Sequence, residues 1–271
     1  MALNVPGPVA VSRLVAEGAH ALKIEPPWGD PLASLCRPWY DDLHRGIPVE
    51  TIDLKSAEGH ARVLALLHDA DVFVASHRPA ALARLGLDAR SLQASLPALR
   101  HVNIVGDTAN PEEAGHDLTY QARAGLLTDM SGLKRQRALP LTLIADMAGA
   151  ERAHATIREV MQKPGTARQV GLFDALNDLA APLRYGLTAA GGHLGGGNPA
   201  YGIYATLDGA VAVTALEPHF RARLYAGLGL ADGADPSAVF ATKSAIEWEQ
   251  WAAARDIPLV AIKDAGFRAS S

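Results

Sequence analysis

Residues 112–125, EEAGHDLTYQARAG, place a histidine and an aspartate side by side, between a glycine and a helical pattern. Asp117 is a good N-cap residue, because its carboxylate can accept the free backbone N–H groups of a helix's first turn. In that interpretation, the simpler one for this segment alone, His116 is an ordinary surface histidine. The alternative is that His116 is an acid/base group, since an imidazole changes charge near neutral pH.

A second candidate, Asp146, ends the apolar run LTLIAD, and a helical pattern follows from Met147. His116 follows the strand-like segment HVNIVG after a loop. In parallel α/β sheets, ligands bind beyond the carboxyl ends of the strands. Both residues therefore lie where a site is expected, although Asp146 is also a suitable helix cap.

The composition of the 271-residue chain is that of a globular protein, with 49% hydrophobic and 20% charged residues and a formal net charge of -4. Such a chain has neither the basic footprint of a nucleic-acid-binding protein nor a polybasic membrane patch. An anionic ligand must then be held by local cations and backbone N–H groups.

The single cysteine, Cys36, excludes a disulfide within the chain and favours a reducing, cytoplasmic location. A buried or incidental thiol is the simplest interpretation, since no histidine pattern marks it as activated. The N-terminal residues do not resemble a signal peptide, and no apolar segment is long enough to span a bilayer. No zinc-binding spacing is present, so no metal is expected.

Strand-like and helical segments alternate over the first 185 residues. The chain carries five apolar segments that are typical of strands, HALKIEP, VETIDL, DVFVAS, HVNIVG and RQVGLFDA. Helical patterns separate them, one of which starts at Ser56. This alternation predicts an α/β fold, with a Rossmann-like parallel sheet and helices on both faces, as a large domain over residues 1–185.

The pattern changes over residues 186–271, for which we predict a second, smaller α+β domain. Two strand-like segments flank Asp208-Gly209, a strong hairpin signal. The preceding GGGNPA formally matches a dinucleotide-binding fingerprint, but that fingerprint must follow a strand and open a helix. Here a strand follows, so the preferred interpretation is a flexible loop whose backbone approaches something closely.

In this order the segments resemble the class III coenzyme A transferases and alpha-methylacyl-CoA racemases, the CaiB–BaiF family. The resemblance rests on PGPVAVSRLVAEGAHALKIEPPWGDP, IDLKSAEG, ADVFVASHRPAALARLGLD, AGHDLTYQARAG, LIADMAG, YGIYATLDG and VTALEPHF. It covers the chain from about residue 6 to about residue 260, and its specificity comes from seven motifs in the same order.

The resemblance implies that Asp146 is a central catalytic residue. In the transferases the matching aspartate attacks the thioester and carries the acyl group as an anhydride, whereas in the racemases it is an acid/base. Racemases also have a histidine in a GHD motif and a glutamate in an EP motif, which match His116 and Glu217. Transferases usually carry an aromatic residue at the histidine position, so this chain resembles the racemase branch.

The resemblance also implies coenzyme A as part of the substrate. Arg78 and Arg84 are then expected to meet the phosphates, with Gly115, Asp117 and Tyr120 near the pantetheine and thioester. Family members form homodimers in which two subunits interlock, and their site lies between the large domain of one subunit and the small domain of the other. Glu217 is therefore expected to orient the ring of His116 across such a dimer.

Two departures from the family pattern keep alternatives open. The loop GDTANPEEAG is more acidic than its family counterpart, and family members usually continue well past residue 271. The sequence is best explained by an acyl-CoA racemase that moves the C2 proton of a 2-methyl-branched acyl group. The alternatives are a CoA transferase acting through Asp146 and a shortened, non-catalytic CoA-binding member.

Overall fold

The computed structural model describes residues 1–127 and 139–263, which divide into two compact units. The first unit contains the described residues up to Ala180, and the second begins at Ala181. No helix among these residues is both long and apolar enough to cross a membrane.

The first unit contains five strands that all pair in parallel. They are β1 (Lys23–Glu25), β2 (Val49–Thr51), β3 (Val72–Ala75), β4 (Arg100–Val105) and β5 (Ala167–Gly171). By hydrogen bonding they form two ladders, β1 with β2 and β3 with β4 with β5. The predicted α/β class with parallel strands is confirmed, but the described strands do not form the one continuous ladder that a Rossmann-like sheet has.

Nine helices surround these strands in the described part of the first unit. They are α1 (Pro6–Ala16), α2 (Pro31–Leu35), α3 (Arg37–Leu43), α4 (Ala57–His68), α5 (Pro79–Arg84), α6 (Ala89–Ser95), α7 (Asp117–Arg123), α8 (Ile144–Val160) and α9 (Leu172–Leu179). Local signals explain several of the starts. Ser56 caps α4 by accepting the N–H of Gly59, and Asp88 caps α6. The short helices α2 and α3 were not predicted.

Helices cover both faces of the β3–β4–β5 sheet. Val102 and Ile104 of β4 pack on one face against Ile157 of α8. On the other face, Phe73 of β3 packs against Leu82 of α5. Because side chains alternate between the faces of a strand, packing on both sides explains the nearly continuous apolar run of β3.

A buried ionic cluster holds the segments that follow β1. Lys23 Nζ lies 3.0 Å from Glu25 Oε1 and also forms an ion pair with the buried Asp30. The same ammonium lies 2.7 Å from His44 Nε2, and Tyr40 donates its hydroxyl to Glu25 at 2.7 Å. These buried charges are tolerated because each has opposite charges or hydrogen-bond partners.

The second unit is a small α+β arrangement. Its antiparallel sheet contains β6 (Tyr201–Ala205), β7 (Ala210–Thr214) and β8 (Leu259–Ala261), with β7 at the centre. The predicted hairpin is present, since β6 and β7 pair directly across the Asp208-Gly209 turn. The helices of this unit in the described residues are α10 (Ala181–Arg184), α11 (Pro218–Leu228), α12 (Ser237–Phe240) and α13 (Ala245–Ala253).

The glycine-rich segment before β6 is folded on itself, so the close backbone approach predicted for this loop is present. The N–H of Gly191 donates to the carbonyl of Gly195, and the N–H of Gly197 donates to that of Gly192. A Cβ on Gly195 would lie 1.8 Å from the carbonyl oxygen of Ala189. The glycines are therefore needed for close backbone packing. A strand, β6, follows this segment, so the dinucleotide interpretation was rightly rejected.

Candidate functional site

Asp146 lies in the first turn of α8 and is 7% exposed. The sequence predicted that the helix begins after this residue, at Met147, but it begins at Ile144. The residue before the helix, Leu143, provides no side-chain acceptor for the first N–H groups. An acceptor from elsewhere in the chain explains why the helix can start three residues earlier than expected.

That acceptor is Asp117, which corrects its predicted role as the cap of its own helix. Asp117 is the first residue of α7, and its Oδ1 accepts the backbone N–H of Ala145 at 2.7 Å and of Asp146 at 3.1 Å. Its Oδ2 accepts the side-chain N–H of Gln121 at 2.6 Å. The prediction was wrong because a carboxylate caps whichever helix start lies within reach in the fold, and here that is α8.

His116 occupies the N-cap position of α7, and its side chain is exposed. Its backbone N–H donates to Thr119 Oγ1 at 3.0 Å, and the Thr119 hydroxyl donates to the His116 carbonyl at 2.7 Å. The backbone is therefore held, while the imidazole is available for another role. The first two N–H groups of α7, those of Asp117 and Leu118, have no acceptor among the described residues.

The carboxyl group of Asp146 is poised to change protonation near neutral pH. Burial, and secondly the negative charge of Asp117, raise its pKa from 3.8 to about 7. Both effects disfavour the ionised form, since the charge would lose water and meet a like charge. A carboxyl group with such a pKa can both give and take a proton at physiological pH.

Tyr120 packs closely against two glycines, Gly106 and Gly115. Its pKa is raised by burial and secondly by the charge of Asp146. A Cβ on Gly115 would lie 2.5 Å from the phenol oxygen, and one on Gly106 would lie 2.2 Å from it. A side chain at either position would therefore force the Tyr120 ring to move. Gly115 and Tyr120, which were both predicted as site residues, are thus in close contact.

The acidic loop between β4 and α7 is anchored by its own carboxylates. Asp107 is buried and lies 2.7 Å from Arg123 Nη2, and the Arg123 guanidinium stacks 3.9 Å from the centre of the Phe173 ring. Glu112 accepts the backbone N–H of Ala80, in the first turn of α5, at 2.7 Å. Sequence reasoning noted that the loop is acidic but missed these anchors.

The predicted phosphate-binding residues lie on or beside α5. Arg78 is the residue before its first turn and Arg84 is its last residue, and both are exposed. No ion pair joins either of them to another of the described side chains. Both side chains are therefore exposed cations, as the predicted role requires.

Glu217 belongs to the second unit, at the N-cap position of α11. Its side chain is exposed and makes no capping hydrogen bond. Cys36 is exposed, which leaves the incidental interpretation of this thiol rather than the buried one.

Comparison with known proteins assigns the chain to a family. The model of CoA-transferase family III matches residues 1–258. The chain is 28% identical to human alpha-methylacyl-CoA racemase over 285 residues, covering 90% of this chain and 71% of the racemase. It is also 28% identical to the probable fatty acyl-CoA transferase Rv3272 of Mycobacterium tuberculosis, over 66% of this chain and half of that protein.

Another relative, succinate–glutarate CoA-transferase of Agrobacterium fabrum, is 32% identical over 45% of this chain and 35% of that enzyme. The fold resembles the crystal structure of Rv3272, with a TM-score of 0.83 at 22% identity, over 98% of this chain and 83% of that one. A CaiB/BaiF family protein from Brucella suis gives a TM-score of 0.79 at 20% identity, over 97% of this chain and 82% of that one. The racemase-like resemblance of the sequence is thus confirmed at the level of the family, which contains both racemases and transferases. With its family model matched over nearly its whole length, the chain belongs to CoA-transferase family III, the CaiB/BaiF family.

Proposed function

We propose that this protein is an acyl-CoA racemase or epimerase that moves the C2 proton of a 2-methyl-branched acyl thioester. A base removes the C2 proton, and the electron pair of the C–H bond moves to the thioester oxygen to form an enolate. An acid on the other face then returns a proton to C2, while the electron pair re-forms the thioester carbonyl. The two groups need pKa values near working pH.

The observation that carries the proposal is the burial of the Asp146 carboxyl group beside Asp117. A buried carboxyl group with a pKa of about 7 exists as acid and as base in comparable amounts at neutral pH. A racemase needs this property, because the same group is the base in one direction and the acid in the other.

His116 is the proposed partner on the opposite face of the substrate. Its exposed imidazole follows directly on the loop that leads into α7. The N–H groups of Asp117 and Leu118 are the proposed donors to the enolate oxygen, since donors fixed in advance stabilise a developing negative charge. Glu217, supplied by the second subunit of a homodimer, is proposed to orient His116.

Coenzyme A binding is proposed to use the two exposed arginines at the ends of α5. Arg78 and Arg84 would meet the phosphates, and the 115–120 segment would lie near the pantetheine and thioester. The proton transfer is assigned to side chains of the chain itself, with no metal. A cytoplasmic location is proposed on the cysteine content alone.

A second candidate is CoA transfer through Asp146. The similarity to a succinate–glutarate CoA-transferase favours it, and a carboxylate in this position is also a suitable nucleophile. In that reaction Asp146 attacks the thioester carbonyl, the CoA thiolate leaves, and an aspartyl anhydride carries the acyl group. The base form of Asp146 is again the reactive one.

Incubation with 2-methylacyl-CoA in deuterated water separates the candidates. Deuterium at C2, with loss of optical purity, is expected for the racemase. Transfer of CoA to an added carboxylic acid, with an adduct at Asp146 trapped by hydroxylamine, would replace the racemase by the transferase. Neither reaction, with acyl-CoA still bound, would leave the non-catalytic CoA-binding protein.

A further inference from the structure

The Asp117 carboxylate joins the two helices that carry His116 and Asp146. α7 begins directly after His116, and α8 has Asp146 in its first turn. We propose that Asp117 is a positioning residue, whose carboxylate fixes the first turn of α8 against the start of α7 and so sets Asp146 relative to His116. The inference rests on the proposed function, in which these two side chains share one reaction.

The bridge uses both oxygens of a buried group. Asp117 is 5% exposed, and its Oδ1 receives two backbone N–H groups of α8 at 2.7 and 3.1 Å. Gln121 is 1% exposed and donates to Oδ2 at 2.6 Å, which fixes the rotation of the carboxylate. Hydrogen bonds to an ionised acceptor are short and strong, so this arrangement is rigid.

α8 depends on this bridge because its own sequence provides no cap. Leu143 precedes the helix and has no polar side chain. Without Asp117, the N–H groups of Ala145 and Asp146 would be buried donors with no acceptor, which is costly. The start of α8 would then shift or fray, and the Asp146 carboxyl would move with it.

The same carboxylate affects the chemistry of Asp146 through its charge. After burial, the negative charge of Asp117 is the second cause of the raised pKa of Asp146. Asp117 therefore influences both where the proposed acid/base lies and the pH at which it changes state. An ordinary helix cap would do only the first.

Two variants separate these effects, with a third as the control. Asp117→Asn keeps an oxygen acceptor for α8 and removes the charge. The side-chain amide of Gln121 can turn so that its oxygen accepts a hydrogen bond from the new asparagine N–H₂. Asp117→Ala removes the acceptor altogether. Asp88→Asn is the matched control, because Asp88 also accepts backbone N–H groups, those of Arg90 and Ser91, at the start of another helix.

C2 exchange is measured against pH for the whole protein and each variant. With the substrate enantiomer from which Asp146 removes the C2 proton, the acid limb of kcat/KM for Asp117→Asn should move down by about one pH unit, the lower end of a neighbouring-charge effect. Asp117→Ala should lower kcat about 100-fold with little change in KM, as misplacement of a reacting group does. Asp88→Asn should leave the profile unchanged. An acid limb that stays in place in Asp117→Asn would overturn the electrostatic part of the inference.

Amide hydrogen exchange tests the bridge without using activity. The N–H groups of Ala145 and Asp146 should exchange about tenfold faster or more in Asp117→Ala, and near the unmodified rate in Asp117→Asn. Unchanged protection in Asp117→Ala would overturn the positioning role. If the unmodified protein shows no C2 exchange, the proposed function fails, whereas the amide measurement still decides the bridge.

Discussion

At the scale of single residues, the properties of the site follow from burial. Asp146 is withdrawn from water, and its pKa rises to about 7, whereas His116 stays exposed. Asp146 is therefore part of the packed interior, whereas His116 is not. Changes at Asp146 must affect both stability and chemistry, and changes at His116 should affect chemistry alone.

Replacement of Asp146 by Asn should abolish exchange and stabilise the fold at high pH. The pKa is raised in the folded state, so the folded protein holds this proton more tightly than the unfolded chain. Stability is therefore greatest below the unfolded pKa near 4, and it falls as the pH rises towards 7. The loss is on the order of 4 kcal/mol at pH 8, at about 1.4 kcal/mol per pKa unit.

Denaturant unfolding of both proteins at pH 5 and pH 8 checks this prediction. Asp146→Asn should be the more stable protein at pH 8, and the difference should shrink at pH 5. Equal differences at the two pH values would show that Asp146 ionises normally in the folded protein.

The variant His116→Ala should lower C2 exchange about 100-fold or more, the usual scale for a general base. Its melting temperature should change little, because the imidazole is exposed and the N-cap hydrogen bonds use the backbone. Calorimetric titration with CoA should give an affinity close to that of the unmodified protein. Unmodified exchange rates in the variant would remove His116 from the mechanism.

At the scale of elements, the β3–β4–β5 sheet carries a buried histidine that makes it sensitive to acid. His101 of β4 is 6% exposed and stacks on Phe73 of β3, with ring centres 5.1 Å apart. Burial lowers its pKa to about 4, and the charge of Asp88 offsets part of that effect. The folded protein therefore keeps this imidazole neutral over a range in which the unfolded chain is protonated.

For His101→Phe we expect a more acid-stable protein. Below the unfolded pKa of 6.5 the unfolded chain gains a proton that folded His101 does not take up until about pH 4. This difference in proton uptake lowers the free energy of unfolding by about 3 kcal/mol at pH 4. Phenylalanine does not titrate, so the variant would avoid this loss while keeping the ring stacked on Phe73. Urea unfolding at pH 7 and pH 4.5 measures the effect. The prediction is contradicted if the free energy of unfolding falls between pH 7 and pH 4.5 by the same amount in the variant and in the unmodified protein.

At the scale of the whole molecule, the second unit presents an uncovered apolar sheet face. Ile203 of β6 pairs with Ala212 of β7, which pairs with Val260 of β8, so the three lie in a row on one face. Ile203 is 72% exposed and Val260 is 54% exposed. Apolar rows of this kind often mark contact surfaces. This face is the surface at which we propose that two copies of the chain meet.

Analytical ultracentrifugation should therefore give a particle of twice the 28.5 kDa chain mass. If Glu217 of one chain orients His116 of the other, mixing refolded His116→Ala and Glu217→Ala chains should restore part of the exchange activity. Some mixed dimers would then hold one intact site. Each variant refolded alone is the control. A species at the monomer mass only would exclude the shared site and favour the non-catalytic alternative.

Sequence by itself determined the features whose signals lie within a few residues of each other. The serine cap of α4, the turn at Asp208-Gly209 and the apolar runs of the buried strands all predicted the observed elements. Each of these signals acts through local backbone geometry or through burial, which a short window of sequence reveals. The order of seven motifs likewise identified the family, which the family model confirms.

Only the tertiary structure decided what the polar groups of the site do. A carboxylate such as Asp117 can cap its own helix or another one, and the acceptor of α8 lies 28 residues away in the sequence. The pKa of Asp146 depends on burial and on that same distant charge, and Glu112 reaches back 32 residues to α5. Hydrogen bonds and charges act over a few ångströms in space, and sequence separation does not report that distance.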